Sequence, residues 1–213
     1  MEVVLEGVSH TYNGREYALE EVGLSIDGPG LYLVVGPNGS GKTTLLKIVS
    51  LNLRPSRGRV IVDGLDAWNT SKGEFAELKS KFVYSHDKPI LLRGTFWYNL
   101  TMGGRLSGRV DEDFMKRLIE IFEAEKLLEK KSWELSAGQA KLCSLIRALS
   151  VKAEVYALDE PFNSLDSSNV SRLLAVLREL SNTKAVLVST HFLYEGLLNS
   201  AKKTIRLING KIA

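Results

Sequence analysis

A glycine-rich segment that ends in lysine and threonine carries the most specific chemical signal in this sequence. Residues 36–43 read Gly-Pro-Asn-Gly-Ser-Gly-Lys-Thr, which fits the phosphate-binding pattern G-x-x-x-x-G-K-[ST]. The apolar run 31–35 before it predicts a buried strand, and the pattern after it predicts a helix. Such a turn points several backbone N–H groups and the positive end of a helix at one place. The segment therefore predicts a site for the phosphates of a nucleotide.

The residues of this segment have separate predicted roles. Its three glycines allow backbone angles and close approaches that a Cβ would prevent. Lys42 supplies a positive charge for the β and γ phosphates, and Thr43 offers a hydroxyl to a magnesium ion that bridges them. Thr44 is placed to contact the α phosphate. The predicted nucleotide-binding residues here are Gly36, Pro37, Asn38, Gly39, Ser40, Gly41, Lys42, Thr43 and Thr44.

Two carboxylates follow a second predicted buried strand. The apolar run 155–158 ends at Asp159 and Glu160, and the run 185–189 ends shortly before His191. Because open α/β sheets bind ligands at the carboxyl ends of their strands, we expect these side chains beside the phosphate site. Asp159 is predicted to hold magnesium through water, and Glu160 to accept a proton from an attacking water. A solvated acidic turn would be the simpler interpretation in a chain without a phosphate-binding segment.

Two further segments predict the starts of helices. Ser136 precedes apolar residues at helical spacing, and Asp166 precedes a second such pattern. Both are favourable N-cap residues, and capping is the simplest role for each. The free N–H groups of the helix that begins after Ser136 could also face a phosphate.

Length and composition restrict the class of protein. The 213 residues suffice for one core with an inserted lobe. The 28 Lys and Arg against 25 Asp and Glu give a net charge of +3 without a basic tail, so nucleic acid is not expected as the main partner. Cys143 is the one cysteine, which predicts a reducing compartment. We expect no signal peptide or membrane span, and a cytoplasmic location unless a partner brings the chain to a membrane.

Hydrophobic patterns predict the remaining elements. The predicted strands lie at 3–5, 19–26, 59–64 and 82–85, and the predicted helices at 74–81 and 111–130. The first three strands suggest an antiparallel sheet beside the phosphate loop. An Asn-Gly pair within 204–212 predicts a hairpin. The apolar and aromatic segment 91–102 fits either core packing or a docking surface.

The order and spacing of these motifs, from Tyr12 to His191, resemble the nucleotide-binding subunit of ATP-binding-cassette (ABC) transporters. Leu-Ser-Ala-Gly-Gln at 135–139 resembles the LSGGQ signature, which is the most specific motif of that family. The other matching positions are Tyr12 (adenine-stacking aromatic), 36–43 (Walker A), 155–160 (Walker B), 164–166 (D-loop) and His191 (switch histidine).

The resemblance implies an α/β fold. It consists of a P-loop NTPase core with a mainly parallel central sheet, an N-terminal antiparallel β subdomain and an inserted helical subdomain. We expect one ABC ATPase domain over residues 1–213. The antiparallel subdomain would span about 1–30 and 57–66, and the helical subdomain about 87–134.

The resemblance also implies a head-to-tail dimer, formed by two copies or with a similar second ATPase subunit. Each ATP would lie between one phosphate loop and the opposite signature. Ser136, Gly138 and Gln139 would then face the γ-phosphate bound to the partner. Asp166 would couple the two sites, and Tyr12 would stack on the adenine.

Hydrolysis of ATP, with Mg²⁺ as the second cofactor, is the implied activity. The implied catalytic residues are Glu160, His191, Lys42 and His86, and the implied metal-binding residues are Thr43, Asp159 and His86. Hydrolysis would drive solute transport through an integral membrane permease, with the segment after His86 as the contact surface. The chain would then lie on the inner face of the cell membrane, without a nucleic-acid partner.

Two residues depart from the pattern of the family. Ala137 replaces the first glycine of the signature, a small change that we expect to be tolerated. His86 stands where the family usually has a glutamine that contacts magnesium and the attacking water. Since imidazole titrates near neutral pH, this contact is predicted to be pH-sensitive. Ser85 and Asp87 are the alternatives for the same position.

Two other functions fit parts of the sequence. A non-transport ABC ATPase that acts on nucleic acid or ribosomes would share the motifs, although such proteins usually have a long coiled coil or two cassettes. A small-molecule kinase would use the phosphate loop but would leave the signature, Glu160 and His191 without roles.

Overall fold

Strand pairing defines two sheets in the computed structural model of the chain, which describes residues 1–192 and 195–213. The described residues form two compact units. The first contains Met1–Tyr84, Ala153–Glu160 and Leu177–Ala213, and the second contains Ser85–Lys152 and Pro161–Val176. The predicted subdomain limits stay a prediction.

Three strands precede the first α-helix, and the other helices lie between later strands of the chain. The strands are β1 (Glu2–Thr11), β2 (Tyr17–Asp27), β3 (Gly30–Val35), β4 (Arg57–Val62), β5 (Leu65–Asp66), β6 (Phe82–Ser85), β7 (Val155–Leu158), β8 (Ala185–Thr190), β9 (Ala201–Ile208) and β10 (Lys211–Ile212). The α-helices are α1 (Lys42–Val49), α2 (Lys72–Ser80), α3 (Phe96–Ser107), α4 (Glu112–Ile121), α5 (Ala137–Leu149), α6 (Ser167–Ser181) and α7 (Glu195–Leu198).

The N-terminal sheet is antiparallel, as predicted. Its four strands have the order β2-β1-β4-β5. Val3 lies between Ile26 of β2 and Val62 of β4, and all three side chains are buried. The alternation of apolar and polar residues therefore gives this sheet one face that contributes to the core of the first unit.

The second sheet has the strand order β10-β9-β3-β8-β7-β6. Strand β3 pairs in parallel with β9 and β8, and β8 pairs in parallel with β7. Strands β7 and β8 are buried along their whole length, which is typical of parallel strands covered on both faces. Their carboxyl ends and that of β3 therefore meet at one edge, as predicted. Strands β9 and β10 form the predicted Asn-Gly hairpin.

The second unit contains α3, α4 and α5, and both α3 and α4 contact α5. The prediction of one helix over 111–130 is wrong, because α4 ends at Ile121 and a 3-10 turn follows at Glu125–Leu127. Glu123 has a φ of 50°, its N–H bonds to the Glu120 carbonyl, and the N–H of Ala124 bonds to the Ile119 carbonyl. These two bonds form a Schellman motif, which ends the helix without a glycine.

No helix in the described ranges of the chain has the length and apolar character needed to cross a membrane.

One lysine of the first unit makes stability depend on pH. The ammonium of Lys79, on α2, donates to the carbonyl of Ser50 at the end of α1 (2.7 Å). Burial lowers the pKa of Lys79 from 10.5 to about 8. The unfolded chain keeps this proton up to higher pH than the folded chain. The free energy of unfolding therefore rises as the pH rises from about 8 to 10.5, because the folded chain loses the Lys79 proton first. This gain in stability is lost again as the pH falls through 8.

Replacing Lys79 by methionine is expected to remove that pH response and to stabilise the fold at pH 7, because the buried ammonium is removed. We expect about 1 kcal/mol, a small effect because Lys79 is partly exposed to solvent. The Ser50 carbonyl keeps a donor in the Asn52 side chain (3.2 Å). Urea unfolding at pH 7.5 and pH 9.5 measures the effect. Lys72→Met, at the exposed start of the same helix, is the control and should respond to pH as the native chain does. If the stability of Lys79→Met changed with pH as much as that of the native chain, the prediction would be contradicted.

Candidate functional site

The phosphate loop connects the end of β3 to the start of α1, as predicted. Gly41 is the N-cap of α1 with a φ of 101°, a left-handed conformation that favours glycine. A Cβ on Gly41 would lie 2.3 Å from the carbonyl oxygen of Ala18, and one on Gly36 would lie 2.2 Å from that of Leu207. The loop is therefore packed against neighbouring backbone. No residue with a Cβ fits at these two positions unless that backbone moves.

Lys42 is buried beside the loop to which it belongs. Its Nζ donates to the carbonyls of Gly36 (2.9 Å) and Pro37 (3.2 Å) and lies 3.5 Å from Oε1 of Glu160. The side chain of Glu160 is itself only 13% exposed. The first unit thus brings the predicted cation and the predicted base into one ion pair.

Asp159 is buried, and both of its carboxylate oxygens accept hydrogen bonds. Oδ2 accepts from Oγ1 of Thr43 (2.7 Å) and from the hydroxyl of Tyr84 (3.1 Å). Oδ1 accepts from Oγ of Ser189 (2.6 Å). Asp159 and Thr43 therefore lie together, although 116 positions separate them in the sequence.

The donor set of Asp159 and Thr43 fits magnesium. Carboxylate and hydroxyl oxygens are hard ligands, and Mg²⁺ commonly combines one or two carboxylates with phosphate oxygens and water. In the described part of the chain, no group of three or more His, Cys, Asp or Glu side chains could hold a metal by itself. Phosphate oxygens and water would complete the coordination of magnesium beside Asp159 and Thr43.

Glu160 lies between Lys42 and a histidine. Nδ1 of His191 is 2.8 Å from Oε2 of Glu160. The backbone of Glu160 has a φ of 42°, and its N–H donates to Oγ of Ser189 (2.8 Å). The three side chains predicted from separate motifs thus form one chain of contacts, in which the histidine can orient the carboxylate.

Tyr12 lies at the predicted turn that follows β1. Its ring is 64% exposed, and its hydroxyl is 3.2 Å from Oγ1 of Thr44. His10 contacts the ring edge-on, with 4.7 Å between centroids. Most of the Tyr12 surface therefore remains open to solvent, with its hydroxyl beside Thr44. Stacking of this ring on adenine stays a prediction.

In the second unit, the signature begins a helix as predicted. Ser136 is the N-cap of α5, where its Oγ accepts from the Gln139 N–H (3.3 Å) and its N–H donates to the Gln139 side chain (3.2 Å). Asp166 likewise accepts from the N–H of Asn169 (2.8 Å) near the start of α6. Both predicted capping roles are confirmed.

The signature and the D-loop lie side by side within this unit. A cavity of about 570 Å³ is lined by Ser136, Gly138, Gln139, Ser164 and Asp166, among others. A Cβ on Gly138 would lie 2.6 Å from the carbonyl oxygen of Ser164. The second unit therefore brings together the residues that were predicted to face a partner's nucleotide.

The segment that follows β6 is held by a buried lysine. Nζ of Lys141, on α5, donates to the carbonyls of Asp87 (2.7 Å) and His86 (3.4 Å). The Asp87 carboxylate accepts from the Asn163 side chain (2.9 Å). The predicted contact of His86 with magnesium stays a prediction, and its imidazole is exposed.

Three of these contact residues were missed in the sequence. Tyr84 and Ser189 lie at the ends of predicted strands, next to the positions already singled out, and that placement was the available signal. Lys141 gave no signal, because a lysine three positions from Gly138 on an amphipathic helix normally faces solvent. Its burial to 1% exposure is visible only in the structure.

Comparison with known proteins is consistent with this geometry. A family model described as ABC transporter matches residues 19–163. The manganese transport system ATP-binding protein of Synechocystis is 30% identical over 90% of this chain and 75% of its own length. The energy-coupling factor transporter ATP-binding protein of Caldanaerobacter subterraneus is 27% identical over 100% of this chain and 78% of its own length.

Solved structures show the same similarity. A dimeric ATP-binding cassette in a post-hydrolysis state, bound to ADP and Pi, has a TM-score of 0.85 and 26% identity. The match covers 99% of this chain and 96% of that one. A nucleotide-free ATP-binding cassette from an ABC transporter has a TM-score of 0.79 and 26% identity, over 100% and 90% of the two chains.

Proposed function

The chain belongs to the ABC transporter family and is an ATPase, and from this premise we propose that it drives solute transport through an integral membrane permease. In this proposal it dimerises head to tail, with itself or with a second ATPase subunit, on the inner face of the cell membrane. Residues 1–213 form one ABC ATPase domain. The main observation that supports hydrolysis is that Glu160 contacts both Lys42 and His191.

Hydrolysis transfers the γ-phosphoryl group of ATP to water. The water oxygen forms a bond to phosphorus, the bond from phosphorus to the β-phosphate oxygen breaks, and the carboxylate of Glu160 accepts the proton of the water. His191, which is 2.8 Å from this carboxylate, holds its orientation. Lys42 offsets the charge on the phosphates, as do the loop N–H groups.

Thr43 and Asp159 would hold magnesium in this reaction. The metal supplies positive charge that neutralises the β and γ phosphates. The hydrogen bond between the two side chains keeps both oxygens on the same side of the site (2.7 Å). Tyr12 stacks on the adenine, and the other loop residues surround the phosphates.

The start of α5 completes the site of a partner copy. Ser136, Gly138 and Gln139 present a hydroxyl and a helix N-terminus, which suit a γ-phosphate. Asp166 lies beside them and couples the two nucleotides. A solved cassette that resembles this chain in structure is dimeric with ADP and Pi bound, which supports the dimer in this proposal.

The membrane partner is proposed to dock on the second unit. Large apolar side chains are exposed there, among them Ile90 (57%), Leu92 (43%), Trp97 (39%) and Trp133 (63%). A contiguous exposed apolar patch marks an interaction surface, and in this proposal these side chains form one. The segment after His86 contains two of them.

Replacing Ile90 by aspartate is expected to reduce co-purification with integral membrane protein at least about tenfold, since it places a charge in an apolar contact. The ATPase rate of the isolated subunit should stay within about twofold, because Ile90 belongs to the second unit whereas Lys42, Asp159 and Glu160 belong to the first. Leu65→Asp is the matched control, since Leu65 is similarly exposed (49%) but lies in the first unit. Affinity capture from native membranes measures the effect. Recovery of nucleic acid or ribosomes in place of a membrane protein would overturn the transport proposal.

A further inference from the structure

Ser189 connects the two acidic residues of the site through a single hydroxyl. The residue is fully buried, at 0% exposure. Its Oγ donates to Oδ1 of Asp159 (2.6 Å) and accepts from the backbone N–H of Glu160 (2.8 Å). The bond to Glu160 is made at a left-handed backbone position, with a φ of 42°, that residues other than glycine rarely adopt. Ser189 therefore fixes a carboxylate and an unfavourable backbone conformation at once.

Tyr84 binds the other oxygen of the same carboxylate. Its hydroxyl donates to Oδ2 of Asp159 (3.1 Å), which also accepts from Thr43 (2.7 Å). Ser189 and Tyr84 thus hold opposite oxygens of Asp159, and rotation of this carboxylate would break one bond or both. A hydrogen bond to a charged group contributes more than one between neutral groups, so both contacts bear on the direction of the carboxylate.

We propose that Ser189 and Tyr84 are positioning residues for ATP hydrolysis. Ser189 sets the carboxylate of Asp159 and the backbone of Glu160 relative to each other, and Tyr84 holds Asp159 on the side of Thr43. This inference rests on the proposed roles of Glu160 as base and Asp159 as magnesium-binding residue. It adds two residues from separate strands, β8 and β6, whose hydroxyls reach one carboxylate.

The two residues should have different kinetic effects. Ser189→Ala releases both acids, so kcat is expected to fall about tenfold or more. Tyr84→Phe releases only one oxygen of Asp159, so the Mg²⁺ concentration for half-maximal activity should rise about threefold to tenfold. Its kcat at saturating Mg²⁺ should stay within about twofold of the native value.

A second measurement does not depend on turnover. Binding of a fluorescent ATP analogue is titrated with Mg²⁺ for the native chain and both variants. Tyr84→Phe should require about threefold to tenfold more Mg²⁺ for the magnesium-dependent part of binding. Binding without Mg²⁺ should be unchanged, because the phosphate loop is intact.

Matched controls exist within the first unit. Ser50 is also 0% exposed, and its hydroxyl donates to the helix carbonyl of Leu46 (2.6 Å). Tyr32 is buried, and its hydroxyl donates to Asp27 and Gly28. Ser50→Ala and Tyr32→Phe remove the same hydroxyls outside the site. They should lower stability without changing kcat or the Mg²⁺ dependence.

The comparison of variants decides the proposal. Thermal unfolding first confirms that Ser189→Ala is folded at the assay temperature. If it is unfolded, Ser189→Cys is measured in its place, since a thiol is a weaker donor and a weaker acceptor than the hydroxyl and should also lower kcat. The proposal is overturned if the kcat of the folded Ser189 variant matches that of Ser50→Ala, or if the Mg²⁺ dependence of Tyr84→Phe matches that of Tyr32→Phe. Full turnover in Glu160→Gln would overturn the proposed function itself, together with this inference.

Discussion

Glu160→Gln is expected to lower ATP turnover about a thousandfold while ATP binding is retained. Glutamine has nearly the same shape as glutamate but cannot accept the proton of the attacking water, and general-base catalysis typically contributes factors of about a hundred to ten thousand. The phosphate loop and Thr43 are unchanged, so nucleotide affinity should stay close to native. Because hydrolysis reopens the proposed dimer, this variant should accumulate as an ATP-bound dimer.

Steady-state phosphate release and equilibrium ATP binding measure the two effects. Glu154→Gln is the matched control, since Glu154 also lies in the first unit and pairs with Lys184 (2.8 Å) outside the site. It should hydrolyse ATP at the native rate. Native turnover in Glu160→Gln would show that another group acts as the base.

Gly138→Ala is expected to lower turnover about a hundredfold. The added Cβ would lie 2.6 Å from the Ser164 carbonyl oxygen. This is a backbone atom, so no rotation of a side chain can relieve the overlap. The start of α5 or the segment 164–166 must therefore shift, and both are proposed to face the nucleotide of the partner copy. The loss of well-placed donors to a transferring phosphate is typically worth factors of about a hundred to a thousand.

Two controls separate this effect from a general cost of alanine. Ala137→Gly restores the residue that the family signature usually has and should leave turnover close to native. Gly73→Ala adds the same methyl group on α2, where nothing lies within 4 Å of it. Gly138→Ala should still bind ATP, since residues 36–43 belong to the first unit. Turnover within twofold of native in Gly138→Ala would contradict the role given to the signature.

The sequence predicts the phosphate loop and its partners well because their chemistry restricts residue type. Gly41 must adopt a left-handed backbone, Lys42 must be a cation, and Asp159 must be an acid at a strand end. The parallel arrangement of the buried strands then brings these positions to one edge. The capping box of Ser136 and Gln139 is a local pattern, so it could also be found from the sequence.

Other features depend on contacts that no local pattern records. Tyr84 and Ser189 meet at Asp159 because β6, β7 and β8 are neighbours in the sheet, and that order becomes visible only in the fold. Glu123 ends α4 in a left-handed conformation that sequence rules assign to glycine or asparagine. Lys141 is buried because it binds backbone carbonyls of the segment after β6.

Cross-linking between two copies of the chain tests the head-to-tail dimer most directly. Asn38→Cys places a thiol on the exposed phosphate loop, and Ala137→Cys places one on the exposed signature, each in the Glu160→Gln background. The native Cys143 is buried, and burial raises the pKa of its thiol to about 12, so it should not react.

The two variants are mixed and oxidised with and without MgATP. We predict a disulfide-linked pair that contains one copy of each variant and forms only when MgATP is present. Either variant alone should give little linked product, since its thiols would lie at different sites of the dimer. Failure of the mixture to cross-link with MgATP, or equal linkage within each variant alone, would contradict the head-to-tail arrangement on which the account depends.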